Sequence, residues 1–229
     1  AEAAATWSLL DPMGRDWSRY AYALGQAEHY YARLHFWQGS LQEEHLAEAE
    51  RLAAQGKART IIRSLHGLRG DWRLTQGEWA LAAASYQEAV RLARDTRSVI
   101  DAGSETGLAL AMHHLGQLAN PREEAERLAQ LRDPAHRLLA QLWLAIGDPA
   151  QATHHAIAAY KWAWADGEPY VGRYELTQTT ELLRQMNVPI LNLPPYDPAK
   201  DEKLPWEDEV RAAIERLRAE KEAEKGKAD

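Results

Sequence analysis

Apolar residues return at intervals of three and four along most of this chain, the spacing that keeps one stripe of a helix against a core. From Asp16 to Gln38 the stripe is Trp17, Tyr20, Leu24, Ala27, Tyr31 and Leu34, and Gly39-Ser40 end it. Residues 41 to 55 carry a second, through Leu41, His45 or Leu46, Ala49 and Leu52, with Gly56 as its stop. The pattern then predicts paired helices over 58 to 76 and 79 to 95, and a looser pair over 98 to 119 and from Asn120-Pro121 to near Leu131. Further helices are predicted over 134 to 146, 149 to 165 and 170 to 186. Residues 1 to 10 read as the end of an earlier helix, with Asp11-Pro12-Met13-Gly14 as the turn behind it.

The periodicity stops after Met186. Val188 to Pro198 holds four prolines among apolar residues, too proline-rich for helix and too apolar for a free linker, so it is expected to lie extended on the preceding helices. Pro205-Trp206-Glu207 can open a last helix with Val210, Ile214 and Leu217 on one face, fraying beyond Arg218. The chain therefore divides into residues 1–186, the helical array, and 187–229, the extended segment and terminal helix that pack on it or trail from it.

One phrase recurs. Gly77-Glu78-Trp79 leads into Ala82, Ala83, Tyr86 and Ala89, and seventy residues later Gly147-Asp148-Pro149 leads into Ala152, Ala156 and Ala159. Half that interval is close to the period of about 34 residues of a tetratricopeptide repeat, a hairpin that must stack on copies of itself to bury its apolar face. The second hairpin resembles such a repeat most closely, with small residues at Gly70, Ala82 and Ala89 where backbones approach. The expected fold is all-α, a right-handed α-solenoid of four to five tetratricopeptide-like hairpins with a proline-rich C-terminal cap.

Composition narrows the function. The balance of 34 acidic against 27 basic residues makes a polyanionic nucleic acid an unsuitable main partner. The absence of Cys removes disulfides and thiolate metal sites and suits the cytoplasm, and no segment of the sequence is apolar enough for a membrane span. The doublets His113-His114 and His154-His155 point about 100 degrees apart within a helix, so neither forms a bidentate metal site alone. No phosphate-cradling loop, HExxH helix, nucleophile elbow or dinucleotide turn is present, and no cofactor is expected. The acidic runs fall on amphipathic helices as solvated faces.

The remaining reading is binding. Stacked hairpins present their first helices on a concave face, which places Asp71, Leu74 and Thr75 there with Arg137, Gln141 and Leu144, and His113 and Gln117 as further candidates beside Arg63 and Arg69. The aromatic group Tyr160, Trp162, Trp164, Tyr170 and Tyr174 is expected to seal the end of the array beneath residues 189 to 196.

The stretch Ala159-Tyr160-Lys161-Trp162-Ala163-Trp164-Ala165-Asp166-Gly167-Glu168-Pro169-Tyr170, with Leu193-Pro194-Pro195-Tyr196-Asp197-Pro198 and Leu204-Pro205-Trp206-Glu207, resembles the C-terminal end of helical-repeat regions in bacterial STAND-type signalling ATPases. The resemblance implies a non-catalytic sensor domain that binds a protein or peptide and restrains a nucleotide-binding module lying outside this chain. The rival expectations are a small-molecule or metal-dependent enzyme in the groove, using groups such as His113, His114 and Asp71, and a self-associating scaffold.

Overall fold

The computed structural model describes residues 17–95, 101–200 and 204–225; the predicted helix end and turn within residues 1–14 lie outside them. Among the described residues the regular structure is helical throughout. The α-helices are α1 Trp17–Trp37, α2 Glu43–Gln55, α3 Arg59–Thr75, α4 Trp79–Asp95, α5 Ala102–His114, α6 Pro121–Ala129, α7 His136–Ile146, α8 Pro149–Trp164, α9 Arg173–Gln185 and α10 Glu207–Lys225. A short 3-10 turn at Pro198–Lys200 precedes the last. None of these helices is long and apolar enough to cross a membrane.

Each helix from α1 to α9 packs on its neighbour in sequence, and the odd-numbered ones also touch across the intervening partner, α1 with α3, α3 with α5 and α5 with α7. The row turns back on itself. Tyr174, in the first turn of α9, packs against Phe36 and Trp37 at the end of α1, with ring centroids 5.3 and 6.0 Å apart. The odd-numbered helices thereby surround a central space.

The recurring phrase has a local cause. Gly77 and Gly147 adopt left-handed φ of 72° and 88°, which ends one helix at little steric cost and turns the chain into the next. At the second copy Asp148 then caps α8, its Oδ1 accepting from the Gln151 backbone N–H at 3.1 Å, with Pro149 in the first helical position. Gly70 answers to packing instead. Its missing Cβ leaves room for the Tyr86 ring, 2.6 Å from where that carbon would stand, and Gly107 on α5 faces the same ring from the other side. Tyr86, 1% exposed, is thus held between α3 and α5.

Among the described residues apolar burial falls into three clusters along the row. Ala32, Phe36, Leu46, Ala53, Ile61 and Leu65 bind α1 to α3, and Ala82, Tyr86, Leu110, Leu128, Leu139 and Trp143 join α4 through α7. Ala156, Tyr160, Leu182 and Leu183 join α8 to α9, and Val188, Leu191 and Leu193 of the extended segment pack on them. Hydrogen bonds from Trp164 Nε1 to Pro194 O at 2.9 Å and from Tyr160 OH to Leu191 O at 3.4 Å help hold that segment. Trp162 and Tyr174 of the same aromatic group do not lie beneath it: Trp162 is 72% exposed and Tyr174 meets α1. The last helix departs from expectation in length, continuing past Arg218 to Lys225 because its Ala, Glu, Lys and Arg are strong helix formers. Val210, Ile214 and Leu217 on it are exposed.

Candidate functional site

Two cavities meet at Asp71 and Arg137 in the central space. The larger, about 400 Å³, is lined by His29 and Arg33 of α1, Ser64 of α3, Ser104 of α5, His136 of α7 and Glu175 of α9, with Trp162 of α8. The smaller, about 180 Å³, lies beyond the Asp71 and Arg137 side chains and is lined by Phe36, Leu74, Thr75, His114, Gln141 and Tyr174 among others. Helical geometry explains the selection. Ser64, Leu68, Asp71 and Thr75 are three or four positions apart and share one face of α3, as Arg137 and Gln141 do on α7 and His29, Arg33 and Phe36 on α1.

The charged centre is assembled from four helices. Tyr86 OH donates to Asp71 Oδ1 at 2.7 Å, and Arg137 Nε donates to Glu175 Oε2 at 2.7 Å. Burial pushes the Asp71 carboxyl above the ordinary range, while Arg137 and the Tyr86 bond pull it back. Burial also opposes the Arg137 charge, but Glu175 and Asp71 outweigh it and raise its pKa. The Tyr86 phenol is pushed well up, by burial and then by Asp71, and Tyr174 is pushed up to about 12, chiefly by burial. The result is an acid and a base, Asp71 and Arg137, that line both cavities without forming an ion pair with each other.

Of the residues that sequence nominates, the cavities bring together Asp71, Leu74, Thr75, Arg137 and Gln141, with Leu74 buried. His113, Gln117 and Leu144 do not line them. The register of α5 turns Leu110 and His114 inward, so His113, the neighbour of His114, points away. Gln117 follows the left-handed turn at Gly116, past the end of α5. Leu144 lies two turns beyond Arg137, on the order of 10 Å along α7, and is exposed. Arg63 pairs with Asp101 at 3.9 Å and Arg69 with Glu43 and Glu50 at 2.9 Å, so both serve contacts within the array.

Sequence reasoning missed His29, Arg33, Ser64, Ser104, His136 and Glu175. A signal existed for Ser64, seven positions before Asp71 on the same helix face. None existed for Glu175, whose partner Arg137 is 38 residues away. Among the rival enzyme's candidates, His114 stacks on Trp79 with centroids 4.0 Å apart, and burial followed by His113 lowers its pKa.

A third cavity, about 330 Å³ between α6, α7 and α8, holds His136, His154 and His155. His136 Nδ1 and His155 Nδ1 stand 2.9 Å apart, so in the neutral pair one ring donates and the other accepts. Burial, then His136 and His154, hold His155 down at about 4. Among the described residues no three His, Asp or Glu side chains converge as a metal-binding set.

Comparisons with protein-family models, with curated proteins and with solved structures give no match for this sequence.

Proposed function

We propose that this chain is a ligand-sensing domain, a tetratricopeptide-like α-solenoid that takes its ligand in the central cavity and performs no chemistry on it. One observation carries the reading: inward-facing polar side chains of α1, α3, α5, α7 and α9, from separate hairpins, converge on a single cavity of about 400 Å³. That volume falls in the range of roughly 300–1,000 Å³ of small-molecule pockets, so the ligand is a small molecule or a short stretch of peptide. Catalysis is disfavoured because Asp71 bonds to Tyr86 and Arg137 to Glu175, and among the described residues no serine or threonine hydroxyl of the cavity is hydrogen-bonded to a base.

Sensing follows from closure of the row. A ligand that bridges α3 and α7 favours one spacing of the helices, and the contact of Tyr174 with Phe36 and Trp37 passes that spacing from α9 to α1. In the STAND-type reading the array reports this state to an attached nucleotide-binding module, in the cytoplasm.

The test is to fill the cavity. Ser64→Trp projects an indole into it from α3, on a residue whose hydroxyl bonds to the Thr60 carbonyl of its own helix. Ligands that raise the melting temperature of the wild-type chain should leave this variant unmoved while its circular dichroism stays helical. Equal binding by both proteins would place the site elsewhere.

A further inference from the structure

We infer that the group held between Asp71 and Arg137 is an α-ammonium carboxylate, the zwitterion that a free amino acid carries. This rests on the reading of the central cavity as a binding site. Its ground is incomplete pairing. The Arg137 side chain is only 15% exposed and its Nε is held by Glu175, yet no described residue accepts a hydrogen bond from its two terminal nitrogens. Asp71 Oδ1 accepts from Tyr86, while Oδ2 has no donor among the described residues. Both groups face both cavities.

The Arg137 fork and Asp71 Oδ2 are not sealed in protein but open onto the cavities, where a ligand can complete their hydrogen bonds. The guanidinium fork offers two N–H donors to one carboxylate, and the open oxygen of Asp71 offers an acceptor to an ammonium. A simple anion would satisfy Arg137 and be repelled by Asp71; a simple cation would do the reverse. The interior of a peptide carries neither charge, and each of its ends carries one. The free amino acid carries both on one α-carbon, with its side chain directed into the larger cavity toward Ser64, His29 and Trp162.

The experiment is calorimetric titration of the full chain with the twenty free amino acids, then with the N-acetyl and carboxamide forms of the best binder and with dipeptides containing it. Saturable binding by at least one amino acid is expected, with each blocked form weakened about 10-fold or more. Asp71→Asn should weaken the free amino acid about 10-fold or more while changing the affinity of its N-acetyl form little. The blocked ligands probe both charges on unmodified protein, so the outcome does not depend on the folding of a variant. The inference is overturned if no free amino acid binds at up to about 10 mM, or if blocked forms bind as well as their parents. Dipeptides that bind wild type but not Ser64→Trp, with free amino acids inert, would overturn the zwitterion and leave the cavity reading standing. Amino acids binding Ser64→Trp as they bind wild type would overturn both.

Discussion

Arg69 and Arg137 are equally sheltered, their side chains 16% and 15% exposed, but they are used differently. Arg69 has all three nitrogens engaged at the seam between α2 and α3: Nε with Glu43 at 2.9 Å, one terminal nitrogen with Glu50 at 2.9 Å and the other with His66 at 3.4 Å. Arg73 extends that lattice to Glu43 and Glu78. Among the described residues Arg137 engages Nε alone, and its fork stands over two cavities. Burial therefore does not separate a scaffold arginine from one available to a ligand; the use of its donors does.

Acid should divide the two regions most widely. His155 is held at about 4 against an ordinary 6.5, by burial and then by His136 of α7 and His154 of α8, with Arg122 and Glu126 of α6 lining the same cavity. Its folded pKa lies below its unfolded one, so the neutral ring's contribution is complete above pH 6.5 and is lost as pH falls toward about 4, on the order of 3 kcal/mol. Hydrogen exchange near pH 4.5 should therefore show α7 and α8 losing protection before α2 and α3, with the difference removed by His155→Gln. Uniform loss would contradict the division. His66, in the α2–α3 seam, is also lowered by burial, but Glu50 opposes the shift.

Removing one carboxylate from each arginine tests the comparison directly. Glu175→Ala strips Arg137 of its anchor and should cost about 2–3 kcal/mol in urea unfolding, less than a fully enclosed pair because the cavity admits water. Glu43→Ala, at a carboxylate 45% exposed, should cost less than about 1 kcal/mol. Equal losses would mean that the two arginines are alike.

Tyr86→Phe keeps the ring between Gly70 and Gly107 but removes the donor to Asp71, and should cost about 1 kcal/mol. A neutral result would show that the Asp71 bond contributes nothing to the fold. The smallest effect is expected from salt: raising ionic strength to about 0.5 M should weaken the α2–α3 lattice by a few tenths of a kcal/mol and leave the Arg137–Glu175 pair nearly unchanged. Repeating the Glu43→Ala and Glu175→Ala comparison at both salt concentrations measures it.

Much of the helical order was legible because its signals are local. The stripe spacing placed α4 at Trp79–Asp95, and the turns at Gly77 and Gly147 mark the stops that their left-handed conformations require. The α3 face through Asp71, Leu74 and Thr75 was legible for the same reason, since residues three and four apart on a helix face one way. Legibility failed where the helix register was not anchored. On α5 one position separates the nominated His113 from His114, which lines the smaller cavity.

By itself, then, the sequence determined the helices, their stops and the inward face of α3, because backbone propensity and side-chain periodicity act over a few residues. Only the tertiary structure decided which charges are engaged. Arg69 finds Glu43 from 26 residues away and Arg137 finds Glu175 from 38, and such pairings exist only after the helices have packed. Asp71 and Arg137 became a candidate site at that same step, when packing placed them at one cavity and left the Arg137 fork without a described acceptor.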